Sequence, residues 1–197
     1  MSGTFAFPTA RAAGLPCLGG EDIFVIQDGN RVRGHLWPAD GRPRGRVVIC
    51  PGFTEFAEKH SRGADILHQA GFDLLIIDWP GQGRSGHFGQ HSLTVHADDF
   101  SGHLQAAEAL IDAVGWADQP LSLIGHSMGA ASALLAASRR PDLFAGIVAL
   151  DPVLVPTHIW FWARVFSFFK PDAVPIVKRA LARPHVFESS DAAFDFY

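Results

Sequence analysis

Four short apolar runs, separated by segments of helical or loop character, constrain the fold of this chain more than any other feature. The runs are RVVIC, FDLLIID, LSLI and GIVAL, at Arg46–Cys50, Phe72–Asp78, Leu121–Ile124 and Gly146–Leu150. The sequence predicts helices over 56–70, after His91, and over Met128–Ser138. Apolar strands that alternate with helices form parallel sheets, because parallel neighbours need crossover connections. We therefore expect an α/β fold, with a mostly parallel sheet that carries helices on both faces.

The chain divides by composition into three segments. Residues 1–21 are small and rich in proline and glycine, and we expect a loose lead-in. Residues 22–152 hold the apolar runs and are expected to form the core, through a sixth strand. This core opens with a hairpin at Asp28-Gly29-Asn30, because these residues tolerate positive φ. After Asp151-Pro152 the strand–helix alternation stops, and residues 153–197 are aromatic and helical in character.

Composition and charge exclude several classes of protein. The 16 Lys and Arg residues against 20 Asp and Glu give a net charge of −4, whereas a nucleic-acid partner needs clustered positive charge. Two cysteines, Cys17 and Cys50, are too few for a disulfide framework and favour the cytoplasm. The first twenty residues lack the apolar run of a signal peptide. The stretch Val153–Phe169 is too short and too interrupted to span a bilayer comfortably.

Residues 125–129 read Gly-His-Ser-Met-Gly, the G-x-S-x-G pattern. The pattern lies between the run that ends at Ile124 and an alanine-rich predicted helix, which is the strand–turn–helix context of a nucleophile elbow. Gly125 and Gly129 remove side chains that would collide in so tight a turn. We therefore predict that Ser127 is an exposed nucleophile, near a helix N-terminus whose partial positive charge favours a developing anion.

A second loop, Pro51-Gly52-Phe53-Thr54-Glu55, follows an earlier predicted strand. Acyl transfer needs two N–H donors for the tetrahedral oxyanion, one of them from the residue after the nucleophile. That residue is Met128. Because Gly52 allows close backbone approach, the N–H of Phe53 is the expected first donor.

These motifs together resemble the α/β-hydrolase fold, specifically its monoacylglycerol lipase and lysophospholipase branch, which is often grouped with serine aminopeptidases. The matching stretches are PGFTEF at 51–56 with Lys59-His60, DWPGQGRS at 78–85, the elbow at 125–129 and the sequence Leu150-Asp151-Pro152. The resemblance implies a cofactor-independent serine esterase or lipase that forms an acyl-enzyme at Ser127. It also implies that the N–H groups of Phe53 and Met128 form the oxyanion hole.

The resemblance further implies a triad acid and a triad histidine that follow the serine in chain order. The histidines after Ser127 are His158 and His185, both in the aromatic segment, and Asp151 is a candidate acid of variant geometry. Residues 153–197 resemble the family's helical lid, and Ser190-Asp191 resembles a motif inside it. We interpret the chain as the N-terminal part of a hydrolase, which lacks the triad acid and histidine.

Besides a small lipid or ester substrate, we expect two further partners. The predicted lid suits contact with a membrane, and the last strand suits contact with a second copy of the chain. The lid's apolar side chains are expected to line an acyl-chain tunnel, to rest on the inner face of a membrane, or simply to pack against the sheet. These side chains are Ile159, Trp160, Phe161, Trp162, Phe166, Phe168 and Phe169. Without a further strand beside it, Gly146–Leu150 is expected to be an open edge that allows self-association.

Two other functions stay open from the sequence alone. One is a non-catalytic truncated homologue that acts by binding. The other is a nucleotide-binding oxidoreductase, because residues 81–86 fit G-x-G-x-x-G after a strand and Asp98-Asp99 lie near the distance of a ribose ligand. Against the second, loop residues follow Gly86 where a helix should begin. A metal site is not expected, since the histidines have no convincingly spaced third ligand and suit a solvated surface: His87, His91, His96 and His103.

Overall fold

A computed structural model of the chain describes residues 17–86 and 100–154, together with positions 157, 188 and 189. The contacts divide the chain into two units, Met1–Val153 and Leu154–Tyr197, and every element described below belongs to the first. Several sequence-based expectations fall outside the described residues. They concern the lead-in over 1–16, His87, His91, His96, Asp98-Asp99, the lid side chains, His158, His185 and Ser190-Asp191.

The described residues form a sheet of six strands in the order β1-β2-β4-β3-β5-β6. The hairpin β1–β2 and the pair β2–β4 are antiparallel, whereas β3–β4, β3–β5 and β5–β6 are parallel. The prediction of a mostly parallel sheet is therefore confirmed. The strands are β1 (Glu21–Gln27), β2 (Asn30–Trp37), β3 (Arg46–Cys50), β4 (Asp73–Asp78), β5 (Leu121–His126) and β6 (Phe144–Leu150).

Helices cover both faces of this sheet. A 3-10 turn at Ala57–His60 leads into α1 (Ser61–Gln69), followed along the chain by α2 (Ser101–Ala113) and α3 (Met128–Arg139). Residues of α2 and α3 pack with one face of the central strands, and Ala64 of α1 packs with the other face. The apolar runs of β3 and β4 are thus buried on both sides. No helix in the described ranges combines the length and apolarity needed to cross a membrane.

The predicted hairpin turn and the predicted end of the first helix are both confirmed, whereas the predicted exposure of His103 on α2 is wrong. Asp28 and Gly29 have φ of 47° and 76°, which confirms the hairpin turn, and Gly71 follows α1 with φ of 87°. His103 was expected on the solvent face of α2 and is instead 5% exposed. Its ring lies 5.1 Å from the ring of Trp79, the residue after β4. This contact places His103 on the buried side of α2.

Candidate active site

Ser127 lies alone between the last residue of β5, His126, and the first residue of α3, Met128. Its backbone has φ 52° and ψ −116°, a conformation that is costly for a residue with a side chain. The turn is fixed from both sides. The Ser127 N–H donates to the Leu150 carbonyl at 2.9 Å, and the Ser127 carbonyl accepts from the N–H of Ala130 at 3.1 Å. The strand–turn–helix context predicted for residues 125–129 is confirmed.

Two glycines allow this turn because a Cβ atom fits at neither position. At Gly125, a Cβ would lie 2.5 Å from the Cα of Ala130, so strand and helix could not meet as closely. At Gly129, a Cβ would lie 2.0 Å from the carbonyl oxygen of Cys50 and 2.3 Å from that of Pro51. The second contact is the more informative, since it sets the start of α3 directly against the segment that follows β3.

That segment, residues 51–55, is called the 51–55 loop below. Phe53 is 53% exposed, and its N–H forms no hydrogen bond with any described residue. Met128 is the first residue of α3, so its N–H has no acceptor within the helix. The close contact at Gly129 therefore brings the start of α3 and the 51–55 loop together, and each carries a backbone N–H that has no hydrogen-bond partner among the described residues.

Three hydrogen bonds between its backbone and buried side chains hold the 51–55 loop. The indole Nε1 of Trp79 donates to the Pro51 carbonyl at 2.6 Å. The N–H of Gly52 donates to Oε2 of Glu55 at 2.7 Å. The N–H of Thr54 donates to Oε1 of Gln82. Both neighbours of Phe53 in the loop are thus held by hydrogen bonds from their own N–H groups, while the Phe53 N–H has no partner among the described residues.

The carboxylate of Glu55 is buried and forms an ion pair and several hydrogen bonds with residues around the 51–55 loop. Its side chain is 7% exposed and accepts from Nζ of Lys59 at 2.6 Å. Oε2 also lies 3.1 Å from Nε2 of His60 and 3.1 Å from Nδ1 of His126. Burial by itself raises the pKa of Glu55, but the hydrogen bonds from Lys59, Gly52 and His126 outweigh burial and lower it to about 2. The carboxylate is therefore ionised at neutral pH.

Sequence reasoning assigned no role to Glu55, although the residue stands in the motif that carries the resemblance. The available signal was the spacing of Glu55 and Lys59, which form an i,i+4 ion pair. Contact with His126 joins segments far apart in the chain, and spacing along the sequence does not reveal it. Glycine at position 52 also leaves room for this contact, because a Cβ would lie 3.0 Å from Nδ1 of His126 and 3.1 Å from Oε2 of Glu55, so these side chains would have to shift slightly.

Asp78, at the end of β4, organises the loop that follows it, residues 79–86. The carboxylate is buried and accepts from the N–H of Ala57 at 2.8 Å, the N–H of Arg84 at 2.9 Å and NH1 of Arg33 at 2.8 Å. Gly83 has φ 55°, and a Cβ there would lie 2.2 Å from Oδ2 of Asp78. Packing against Asp78 thus accounts for this glycine of the G-x-G-x-x-G pattern, without a nucleotide.

A cysteine nucleophile and a metal centre are the other kinds of site that these residue types can form. Cys50 is buried, and burial raises the pKa of its thiol to about 12, so the reactive thiolate is scarce at neutral pH. Within residues 17–86 and 100–154, no group of three or more His, Cys, Asp and Glu side chains is placed to hold a metal ion. Asp151 follows β6 with φ 46° and is exposed.

Comparison with known proteins identifies the family. A family model described as serine aminopeptidase, S33, matches residues 41–192, which is most of the chain. The chain belongs to this family. Against individual members, it is 34% identical over 142 residues to lysophospholipase L2 of Escherichia coli K12, covering 63% of this chain and 40% of that protein. It is 30% identical over 135 residues to the human monoglyceride lipase, covering 66% of this chain and 42% of that protein.

Solved structures agree on the fold of this S33-family chain. A soluble variant of monoglyceride lipase from Saccharomyces cerevisiae superposes with a TM-score of 0.60 at 22% identity, covering 80% of this chain and 54% of that one. A hydrolase from Thermoplasma acidophilum gives a TM-score of 0.56 at 23% identity, covering 70% of this chain and 65% of that one. The α/β-hydrolase fold is therefore confirmed. The chain spans less than half the length of the two curated relatives named above.

Proposed function

We propose that this chain carries the nucleophile and oxyanion hole of a serine carboxylic ester hydrolase that acts on monoacyl lipids. The observation that carries the proposal is the strained backbone of Ser127, held between β5 and α3 and set against the 51–55 loop through Gly129. Strain of this kind persists at functional positions, where the surrounding structure enforces it. Membership of the S33 family supports the same reaction class.

In the proposed reaction, Oγ of Ser127 attacks the carbonyl carbon of the ester as its proton passes to a general base. A C–O bond forms, and the carbonyl π electrons move to the oxygen, which accepts hydrogen bonds from the N–H groups of Phe53 and Met128. Collapse of this intermediate restores the carbonyl and breaks the bond to the alcohol, which leaves with the proton. Water then attacks the acyl-enzyme in the same manner and releases the acid.

The general base is not His126, although that residue precedes the serine. Its Nδ1 lies 3.1 Å from Oε2 of Glu55, so the ring is engaged beneath the 51–55 loop. Side chains that are adjacent in a tight elbow also point apart. We assign the triad acid and histidine to no described residue.

The proposed substrate class rests on apolar surface and on the relatives. Phe53, Leu150 and Val153 are each about half exposed, at 53%, 50% and 50%. Leu150 and Val153 adjoin Ser127, whose backbone is hydrogen-bonded to both. Phe53 lies in the 51–55 loop, whose Pro51 carbonyl lies directly against Gly129. An acyl chain would cover this apolar surface. The Escherichia coli relative is named a lysophospholipase and the human one a monoglyceride lipase, which supports a single-chain lipid ester.

The proposed lipid substrate also suggests where in the cell the protein acts and what else it contacts. We infer a cytoplasmic enzyme that meets its lipid at the inner face of a membrane, with residues 153–197 as the contacting lid. Two free cysteines, the exposed Cys17 and the buried Cys50, suit a reducing compartment. The proposed self-association would use the outer edge of β6, the terminal strand of the described sheet.

A fluorophosphonate probe tests the nucleophile directly, since it bonds covalently to an activated serine. The full-length protein is expected to be labelled at Ser127, and Ser127→Ala is expected to abolish labelling. Ser132→Ala is the matched control. Its hydroxyl lies one turn further along α3, is buried, and donates only to the Met128 carbonyl at 3.1 Å. Labelling that survives Ser127→Ala, or that maps to Ser85, would overturn the assignment.

A further inference from the structure

The 79–86 loop contacts the 51–55 loop on both sides of Phe53. Trp79 donates to the Pro51 carbonyl, two residues before Phe53, and Gln82 accepts from the N–H of Thr54, the residue after it. The 79–86 loop follows β4 and the 51–55 loop follows β3, which pairs with β4 in parallel. Two neighbouring strands therefore deliver the two loops to the same edge of the sheet.

The backbone of Thr54 needs outside support. Thr54 has φ 63°, a value that β-branched residues rarely adopt because Cβ crowds the backbone. Such a conformation persists only where other contacts enforce it. Among the described residues, the hydrogen bond to Gln82 is the one that holds the Thr54 N–H.

Burial and backbone hydrogen bonds hold Gln82 in place as a hydrogen-bond acceptor. Its side chain is 5% exposed, and its backbone N–H donates to the Trp79 carbonyl at 2.9 Å while its carbonyl accepts from Ser85 at 3.0 Å. The Gln82 side-chain amide must turn its oxygen toward Thr54, because the Thr54 N–H is a donor and only Oε1 can accept from it. Nε2 of Gln82 has no hydrogen-bond partner in the described part of the chain, so the Thr54 N–H is the amide's one hydrogen-bond partner there.

These contacts fix both peptide planes that flank the Cα of Phe53. The plane that carries the Phe53 N–H also carries the Gly52 carbonyl, which accepts from the N–H of Glu55 at 3.2 Å. The following plane carries the Thr54 N–H and is held by Gln82. We propose that Gln82 is a positioning residue of the oxyanion hole, which aims the Phe53 N–H by holding the next peptide plane. This inference rests on the proposed function of Phe53 and Ser127.

The first arm of the test does not depend on activity. Gln82→Met keeps the length of the side chain but removes the acceptor, so hydrogen exchange at Thr54 is expected to accelerate about fivefold or more relative to β3. Gln82→Glu keeps an acceptor and is expected to leave Thr54 protected. Exchange that is equally fast in both variants, or unchanged in Gln82→Met, would overturn the proposal.

A matched control separates positioning from general stability of the 79–86 loop. Ser85 lies in the same loop, accepts from the N–H of Arg33 at 2.8 Å and donates to the Asp78 carbonyl at 2.7 Å, away from the 51–55 loop. Ser85→Ala is expected to lower the melting temperature while leaving exchange at Thr54 unchanged relative to β3. Accelerated exchange at Thr54 in this control would mean that loop stability alone protects it, against the proposal.

The second arm measures fluorophosphonate inactivation of the full-length protein. Gln82→Met is expected to lower the maximal inactivation rate by about tenfold to a hundredfold with little change in half-saturating probe concentration, because only the oxyanion-like state needs an aimed N–H. Ser85→Ala is expected to react at the unsubstituted rate. Ser127-dependent labelling at an unchanged rate in Gln82→Met would overturn this inference and leave the proposed function standing. Labelling independent of Ser127 would overturn both.

Discussion

Replacing Gly129 by alanine tests the contact on which the site depends. The added Cβ would lie 2.0 Å from the carbonyl oxygen of Cys50, the last residue of β3, and 2.3 Å from that of Pro51, the first residue of the 51–55 loop. Real Cβ atoms do not approach within 3.0 Å, so α3 and the 51–55 loop must separate by about 1 Å. Overpacking costs about 1–3 kcal/mol, and we expect the upper end because no flexible side chain can yield.

The separation affects both stability and chemistry. For a chain of this size, about 3 kcal/mol lowers the melting temperature by roughly 6–12 °C. The same movement pulls the N–H of Met128 away from that of Phe53. A misplacement of about 1 Å costs on the order of a hundredfold in rate. Urea unfolding and fluorophosphonate inactivation, both on the full-length protein, measure the two effects.

Gly63→Ala is the control, since the same change is harmless where space exists. Gly63 lies in α1, and a Cβ there would meet no atom within 4 Å. Alanine should therefore stabilise the protein by about 0.5–1 kcal/mol through helix propensity, with no change in inactivation. A Gly129→Ala protein that unfolds within about 0.5 kcal/mol of the unsubstituted protein and is labelled at the same rate would show that the contact at Gly129 does not position the site.

Two further predictions concern the buried carboxylate of Glu55 and the outer edge of β6, the last strand of the described sheet. The pKa of Glu55 is lowered from 4.5 to about 2, so its ionised form stabilises the fold above about pH 4.5, and this contribution is lost as the pH falls toward 2. The destabilisation caused by Glu55→Gln in urea unfolding should therefore shrink between pH 5 and pH 2; a constant difference would contradict it. We expect the protein to self-associate through the outer edge of β6, where Val148 is 51% exposed, and we expect Val148→Lys to yield monomers in light scattering. A monodisperse unsubstituted monomer would be the contrary result.

The sequence predicts well those parts of the structure that local chemistry controls. The run at Arg46–Cys50 is β3, and the run at Phe72–Asp78 is β4 except for its first residue, because both runs are apolar on both faces and end at turn residues. The elbow context of Ser127 was visible for a similar reason, since glycine, a strand and an alanine-rich helix occur side by side in the chain. The buried face of a helix is harder to predict from the sequence. His103 of α2 is buried because its ring packs against Trp79, a residue that is distant in the chain.

What supports the candidate site was decided by tertiary structure. Ser127, Phe53 and Met128 were proposed from motifs, but the roles of Glu55 and Gln82 come from hydrogen bonds that join separate loops. From the sequence alone, Gln82 would be predicted to be an ordinary solvated residue of a turn. Its role follows only from the parallel pairing of β3 and β4, which brings the 79–86 loop beside Thr54. Local propensity determines where the strands and turns lie. Only the packing of the strands decides which loops meet at the carboxyl edge of the sheet, and hence which polar atoms hold the proposed oxyanion donor.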